Sequence, residues 1–375
     1  MADIYKRLAA HLDRLPGGFP ATKSGVELRI LRRLFTRQEA ELALHLNLIG
    51  ENSATIALRS RKAPEVVAPR LEEMAAKGLI FRSVASGEAP RYMALHFIVG
   101  IWEYQVNRLT PELVRDMDAY IPELMDVRIW RKTPQMRTIP VGRSIRPDLL
   151  VMTYENAEAL LREKKRFVVT ECICRKERAL HGDGCDKPLE TCISFGGAED
   201  YYVKNGIGRR VGLSEVLDIL AAAERAGLVL QPSSGKEINW ICCCCGCCCG
   251  ILRTLRKYPN PAAIVSTPFM LAVDVEGCTG CGICVRRCQM GALEIRDGDV
   301  KLDPARCIGC GLCVATCPAD ALRLERKPES KQPRLPKDIV AACLELSWRR
   351  GKIGPLRLGK MIADSFVDRY RAGRR

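Results

Sequence analysis

The chain has 375 residues, a formal net charge of +15 and 20 cysteines, a length that suggests roughly two to four domains. Lys6, Arg7, Asp13 and Arg14 interrupt the first twenty residues, so no secretory leader is expected, and a reducing cytoplasmic setting makes dense cysteine read as metal ligation rather than disulfide scaffolding. No charge-free run of about 18 apolar residues occurs, because the apolar segment 262–273 is short and holds Pro268, so no membrane span is expected either.

Apolar residues at helical spacing predict a helix over 26–35, and Thr36 with Glu39 forms a capping-box pattern opening a second helix over 40–46. A third begins near Pro64 and Glu65, turns Val67, Leu71 and Met74 inward and stops at Gly78. Segments 79–81 and 91–95 then flank a turn at Gly87, a hairpin signal. This order resembles the winged helix-turn-helix family. The resemblance makes Arg59, Arg61, Lys62 and Arg70 the residues to suspect of touching DNA. Residues 1–100 hold 15 basic and 10 acidic side chains, too even a balance to favour nucleic acid over a protein partner.

Thr110 followed by Pro111 marks another helix start. A helix over 155–165 leads into an alternating strand over 167–174, and on such a strand Cys172 and Cys174 would share a face. Cys185 and Cys192 follow, with His181 nearby, which is more simply an ordinary polar residue than a ligand. A helix over 213–226 ends at Gly227 and enters 228–230, echoing the passage through Gly78 into 79–80. Residues 242–249 then place seven cysteines in eight positions, and only a subset can face one site. Cys242, Cys245 and Cys248 keep the three-residue step of a cluster loop, with Cys172 or Cys174 available to close the set. Further iron-sulfur ligation leads the readings here; thiol or persulfide chemistry and zinc or structural packing stay open.

The densest pattern comes next. Cys278, Cys281, Cys284 and Cys288 recur 29 residues on as Cys307, Cys310, Cys313 and Cys317, each set a C-x2-C-x2-C-x3-C run. Gly280, Gly282, Gly309 and Gly311 allow the tight turns that bring backbone amides to cluster sulfur. Over residues 273–325 the chain resembles the bacterial two-cluster ferredoxins. The resemblance implies two [4Fe-4S] clusters with exchanged fourth ligands: Cys278, Cys281 and Cys284 with Cys317, and Cys307, Cys310 and Cys313 with Cys288. Ala292 and Leu293 match Ala321 and Leu322 at the same offset, so the halves should be pseudo-twofold related. Pro318 follows Cys317 as the family pattern asks, whereas Gln289 stands after Cys288, a change expected to alter solvent access or potential. A zinc ribbon would need only pairs of C-x2-C.

The expected class is α+β and multidomain: a winged helix-turn-helix-like domain over 1–105, a mixed α/β Cys-rich domain over 106–262, a ferredoxin-like 2[4Fe-4S] domain over 263–326 and a basic helical tail over 327–375. That arrangement looks like ferredoxin-type proteins of anaerobes in which the same three parts are fused. From residue 326 onward the tail carries 14 basic and 5 acidic residues, a surface for an acidic redox partner, nucleic acid or an anionic membrane, or simply a solvated face. Cys343, on a helix over 339–348, reads as a small buried apolar residue. The resemblance implies a cytoplasmic electron carrier serving a redox partner protein, with two [4Fe-4S] clusters and one or two more iron-sulfur clusters on Cys172, Cys174, Cys185, Cys192, Cys242, Cys245 and Cys248. The alternatives are an oxidoreductase working at a site-differentiated cluster or reactive thiols in the Cys-rich segment, and a redox-sensing winged-helix transcription regulator.

Overall fold

The computed structural model describes residues 3–85, 87–125, 127–130, 134–352 and 354–374. Helices and strands are mixed, in keeping with an α+β class. Two compact units form: one from Met1–Asp126, Gly197–Gly208 and Cys343–Arg375, the other from Val127–Gly196 and Arg209–Ala342.

In the first unit, helices Ile4–Arg14, Val26–Leu34, Arg37–Ala43, Ser53–Ser60 and Pro64–Ala76 precede an antiparallel hairpin of β1 (Ile80–Ser83) and β2 (Arg91–Ala94), paired from Ile80↔Ala94 to Ser83↔Arg91. Ser86 lies outside the described residues. The expected capping box forms: Thr36 Oγ1 accepts from the Glu39 amide at 3.3 Å and the Glu39 carboxylate accepts from the Thr36 amide at 2.8 Å. Helix Ser53–Ser60 was not foreseen. Its signal is Asn52, whose Oδ1 accepts from the Thr55 amide at 2.9 Å and caps the first turn. The core gathers Ile30, Leu31, Ile56, Leu71 and Met74, all fully buried.

The same unit closes on itself through its distant segments. The Tyr201 hydroxyl lies 2.9 Å from the carbonyls of both Ala75 and Ile80. Helix Pro355–Ala372 of the basic tail sets Asp368 2.9 Å from Arg59 Nε, while Ser365 Oγ donates to Glu51 at 2.5 Å. Arg59 Nη1 and Nη2 also donate to the fully buried Glu51 carboxylate, at 2.8 and 2.7 Å. A side chain suspected of reaching DNA is thus committed to internal ion pairs. Arg70 donates to Gln38, and Lys62 stands 3.7 Å from Glu41. Cys343 on helix Ile339–Arg349 is half-buried rather than buried, its Sγ 3.7 Å from His96 Nε2.

The second unit carries a five-stranded antiparallel sheet from β3 (Phe167–Glu171), β4 (Glu190–Ser194), β5 (Arg209–Val211), β6 (Val229–Pro232) and β7 (Trp240–Cys244), in the order β5-β3-β4-β7-β6. The strand expected to reach Cys174 stops at Glu171. The register shifts between Thr170 and Glu171, the Cys172 amide donates to Leu189 O at 2.8 Å, and helix Ile173–His181 starts at once. Its Arg, Lys, Glu, Ala and Leu residues favour helix, and Gly182 ends it at φ 90°. Helix Leu213–Arg225 forms as expected. The echo between Gly78 and Gly227 is a shared helix ending: both sit at positive φ, and the amides of Leu79 and Leu228 each reach back five residues, to Met74 O and Ala223 O.

The rest of this unit builds two small antiparallel pairs, β8 (Phe269–Val273) with β11 (Leu322–Arg326), and β9 (Leu293–Arg296) with β10 (Asp299–Leu302). Phe269, Leu271, Leu293, Val300, Val314, Leu322 and Leu324 form their common core. Arg326 clamps β11 to the segment before helix Ala157–Arg162 through two 2.8 Å bonds to the buried Glu155 carboxylate.

Candidate iron-sulfur and thiolate sites

The eight cysteines of the doubled run divide between two cavities. One is lined by Cys278, Cys281, Cys284 and Cys317; the other by Cys288, Cys307, Cys310 and Cys313. Gly280, Gly282, Gly309 and Gly311 all take φ between 63° and 74°. At Gly309 a Cβ would stand 2.4 Å from Phe269 O, so both the turn and the close approach require glycine. Amides already point at sulfur: Gly280 N lies 3.5 Å from Cys278 Sγ and Ala292 N 3.2 Å from Cys288 Sγ. The pseudo-symmetry shows in the backbone. Asp274 N donates to Ala321 O and Asp303 N to Ala292 O, both at 2.8 Å, and Cys288 (φ −72°, ψ 110°) and Cys317 (φ −74°, ψ 113°) share one conformation. Burial pushes the thiols of Cys284, Cys307 and Cys313 up, and that of Cys310 up to about 12. Two apolar cavities, each with four thiols and with donors facing sulfur, fit a cubane cluster apiece.

In the Cys-rich segment the chain sorts eleven thiols by strand geometry. Cys192 is the direct partner of Cys242 across β4 and β7, so both face one side of the sheet, and Cys244, two residues on, joins them. Cys243 faces the opposite side with Ile241, opposite Leu230 on β6, where burial drives its thiol well up. Cys172 follows β3 as the N-cap of helix Ile173–His181, Cys174 lies in the first turn of that helix, and Cys249 caps helix Gly250–Arg256. These six free thiols form a ring in which each interacts with two others, in the order Cys172, Cys174, Cys249, Cys244, Cys242, Cys192. Acidity alternates around it. Hydrogen bonds from neighbours lower Cys172 and Cys249 strongly and Cys242 to about 5, while Cys174, Cys192 and Cys244 are raised as the donors.

Cys245, Cys247, Cys248 and Cys185 form a second, tighter set, with all four sulfurs within 4.8 Å of one another. The expected trio of Cys242, Cys245 and Cys248 is therefore not brought together. Cys242 belongs to the ring, and the other two belong to the tighter set. Cys172 and Cys174 do meet, although not as strand neighbours. Cys244, Cys247 and Cys249 were not among the expected ligands, and the signal for Cys244 was the two-residue period of a strand ending in the run. His181 pairs with Arg178 and Asp183.

Arg175 stands between the two sets. It is 1% exposed; Nη1 donates to Cys243 O at 3.3 Å and reaches Cys245 Sγ at 3.8 Å, and Nη2 donates to Thr191 Oγ1. No carboxylate pairs with it among the described residues. A buried guanidinium needs compensating negative charge. The charges around it are sulfur: after burial, which opposes, Cys172 and Cys245 favour its charged form.

Gln289 joins the two cysteine-bearing regions. Its Oε1 accepts from the buried Gly246 amide at 2.8 Å, and a Cβ on Gly246 would stand 2.3 Å from Gln289 O. The residue that replaces the proline after Cys288 is thus the contact between the second cavity and the cysteine run.

Residues 277–334 match the family model described as a 4Fe-4S dicluster domain. No curated protein and no solved structure matches the chain. No helix among the described residues is long and apolar enough to cross a membrane.

Proposed function

We propose that this chain is an iron-sulfur electron-transfer protein that passes electrons between the ferredoxin-like segment and a third metal-sulfur centre on the six-thiol ring, and from there to or from a partner redox enzyme. Cys278, Cys281, Cys284 and Cys317 would hold one [4Fe-4S] cluster and Cys307, Cys310, Cys313 and Cys288 the other. Bound there, such a cluster supplies a one-electron couple whose potential follows its burial and hydrogen bonds. The observation that carries the reading is the Gln289 to Gly246 hydrogen bond, which ties the loop after Cys288 to the cysteine run. Cys172, Cys174, Cys192, Cys242, Cys244 and Cys249 would hold the third centre, with Arg175 supplying a fixed positive charge. The helices and hairpin of residues 26–95 are read as a winged-helix-like docking module for protein, because Arg59 is occupied by Glu51 and Asp368.

A second reading, an oxidoreductase using the ring itself, is favoured by one observation: six thiols exceed the four terminal ligands of a cubane. Anaerobically purified protein is expected to carry more than about eight irons and eight sulfides per chain, falling to about eight in a Cys172→Ser/Cys242→Ser variant. Iron that stays near eight in the unmodified chain would remove the third centre, and a colourless, sulfide-free protein would remove the whole assignment.

A further inference from the structure

We propose that Cys185, Cys245, Cys247 and Cys248 bind a single zinc ion as a tetrahedral tetrathiolate, separate from every iron-sulfur centre, and that this ion clips the turn that shapes the six-thiol ring. The argument is one of size. Four thiolates on one Zn²⁺, each at about 2.3 Å, stand about 3.8 Å apart along the edges of the tetrahedron. Cys248 Sγ lies 3.5 Å from Cys185 Sγ and 3.8 Å from Cys247 Sγ, and no pair in the set exceeds 4.8 Å. A cubane holds its thiolates farther apart, about 6 Å, because two irons and the sulfides between them separate the outer ligands. The four sulfurs here enclose room for one ion and not for a cube.

Chain spacing agrees. Three of the four ligands come from four consecutive residues, and consecutive Cα atoms are only about 3.8 Å apart. Such a turn can fold its side chains onto one small ion, whereas the corners of a cube need ligands set farther apart, as in the doubled run at 278–288 and 307–317. Gly246 lies within it, its amide held by Gln289 Oε1, and Cys185 arrives from the loop after helix Ile173–His181 to complete the set. The donor set is all sulfur, which selects zinc or iron among the common divalent ions, and a closed site of four cysteines is the structural form of zinc. The complex would carry a net charge of −2, part of which Arg175 meets from its place 3.8 Å from Cys245 Sγ.

The position gives the ion its task. Cys244 ends β7 immediately before the turn, and Cys249 caps helix Gly250–Arg256 immediately after it, and both are ring members. Fixing residues 245–248 to Cys185 therefore fixes the two ring thiols on either side. This inference rests on the reading of the ring as a metal centre only for that task, and the zinc site itself stands or falls separately.

The test is metal analysis of the full chain, produced with both iron and zinc available and purified without oxygen, joined to zinc-edge X-ray absorption on the unmodified protein. About one zinc per chain is expected, with four sulfur neighbours near 2.3 Å and no iron in the next shell. Cys247→Ser and Cys185→Ser should each lower zinc at least tenfold under a chelator that leaves the unmodified protein loaded, while the eight irons of the ferredoxin-like segment remain. The inference is overturned if the unmodified protein holds no zinc, if its zinc has fewer than four sulfur neighbours, if iron takes the site, or if both variants keep zinc and lose about four irons instead. The absorption measurement needs no variant, so a variant that fails to fold leaves the decision intact. Loss of the third iron centre alone, with zinc and its four sulfurs present, would defeat the proposed relay and not this site.

Discussion

Replacing Arg175 by methionine tests whether its charge acts on a metal centre held by the ring, because the shift in midpoint then has a fixed sign. Methionine fills much of the same volume without charge. The guanidinium lies within bonding reach of Cys245 Sγ, at 3.8 Å, and feels Cys172 and Cys192 of the ring. A positive charge about 5 Å from a centre, at an effective dielectric constant of about 20, interacts with each added electron by about 3 kcal/mol. For a one-electron couple 59 mV corresponds to about 1.4 kcal/mol, so the midpoint of the ring centre should drop by on the order of 100 mV. The sign follows from the charge: a cation stabilises the reduced, more negative state, and its removal lowers the potential. The two clusters of the ferredoxin-like segment should keep their midpoints.

An electron paramagnetic resonance redox titration of unmodified and Arg175→Met protein reads the shift directly. Unfolding of the apoprotein gives a second readout: against the opposing effect of burial, the sulfurs of Cys172, Cys245 and Cys192 hold the Arg175 pKa above its ordinary value even without metal, so methionine should cost stability. A midpoint that moves by less than about 20 mV, or moves upward, would refute the electrostatic account of Arg175.

Gln289→Pro restores the proline of the two-cluster pattern and removes the acceptor of the Gly246 amide. Iron content should hold at its full value while electron exchange between the second cavity and the ring, followed by rapid-mixing absorbance, slows several-fold, since a buried donor left without a partner costs about 1–3 kcal/mol and loosens the contact. Gly309→Ala places a Cβ 2.4 Å from Phe269 O at a φ of 63°, so about four irons should be lost from the second cavity while the first keeps its own; full occupancy by iron assay would contradict the close-approach argument. Arg59→Met strands the fully buried Glu51 carboxylate, and denaturant unfolding should show a loss of about 3–5 kcal/mol in the first unit, against less than about 1 kcal/mol for a side chain held free to contact nucleic acid.

How much could be read beforehand varies with how local the determinants are. The ferredoxin-like segment was legible because everything it needs lies within a few residues: three-residue steps, glycines at positive φ and an offset of 29 that repeats even in the backbone bonds of Asp274 and Asp303. In the first unit, the capping box at Thr36 and the Thr110 start were legible for the same reason. The Cys-rich segment was only half legible. Cys172 and Cys174 were put on a strand because 167–174 alternates, yet the helix-forming run through 175–180 and Gly182 carried a competing signal that won once the register shifted at Thr170. The three-residue step of Cys242, Cys245 and Cys248 misled because that step has meaning only in a loop, and Cys242 lies in a strand.

What sorts those thiols is the pairing of β7 with β4, a contact between residues some fifty positions apart. Ile241 pairs with Ile193 and holds the apolar face inward, which leaves Cys242 beside Cys192 on the other face. A slip of one residue would exchange the faces: Cys243 would turn toward the ring and Cys242 and Cys244 into the core. Seven cysteines in eight residues do not encode their partners, because the side chains are chemically identical and no spacing rule distinguishes them. The discrimination comes from the isoleucines beside them. Burying Ile193 and Ile241 together decides, by the hydrophobic effect, which sulfurs join the ring, so the apolar residues flanking the run are as much determinants of it as the thiols that compose it.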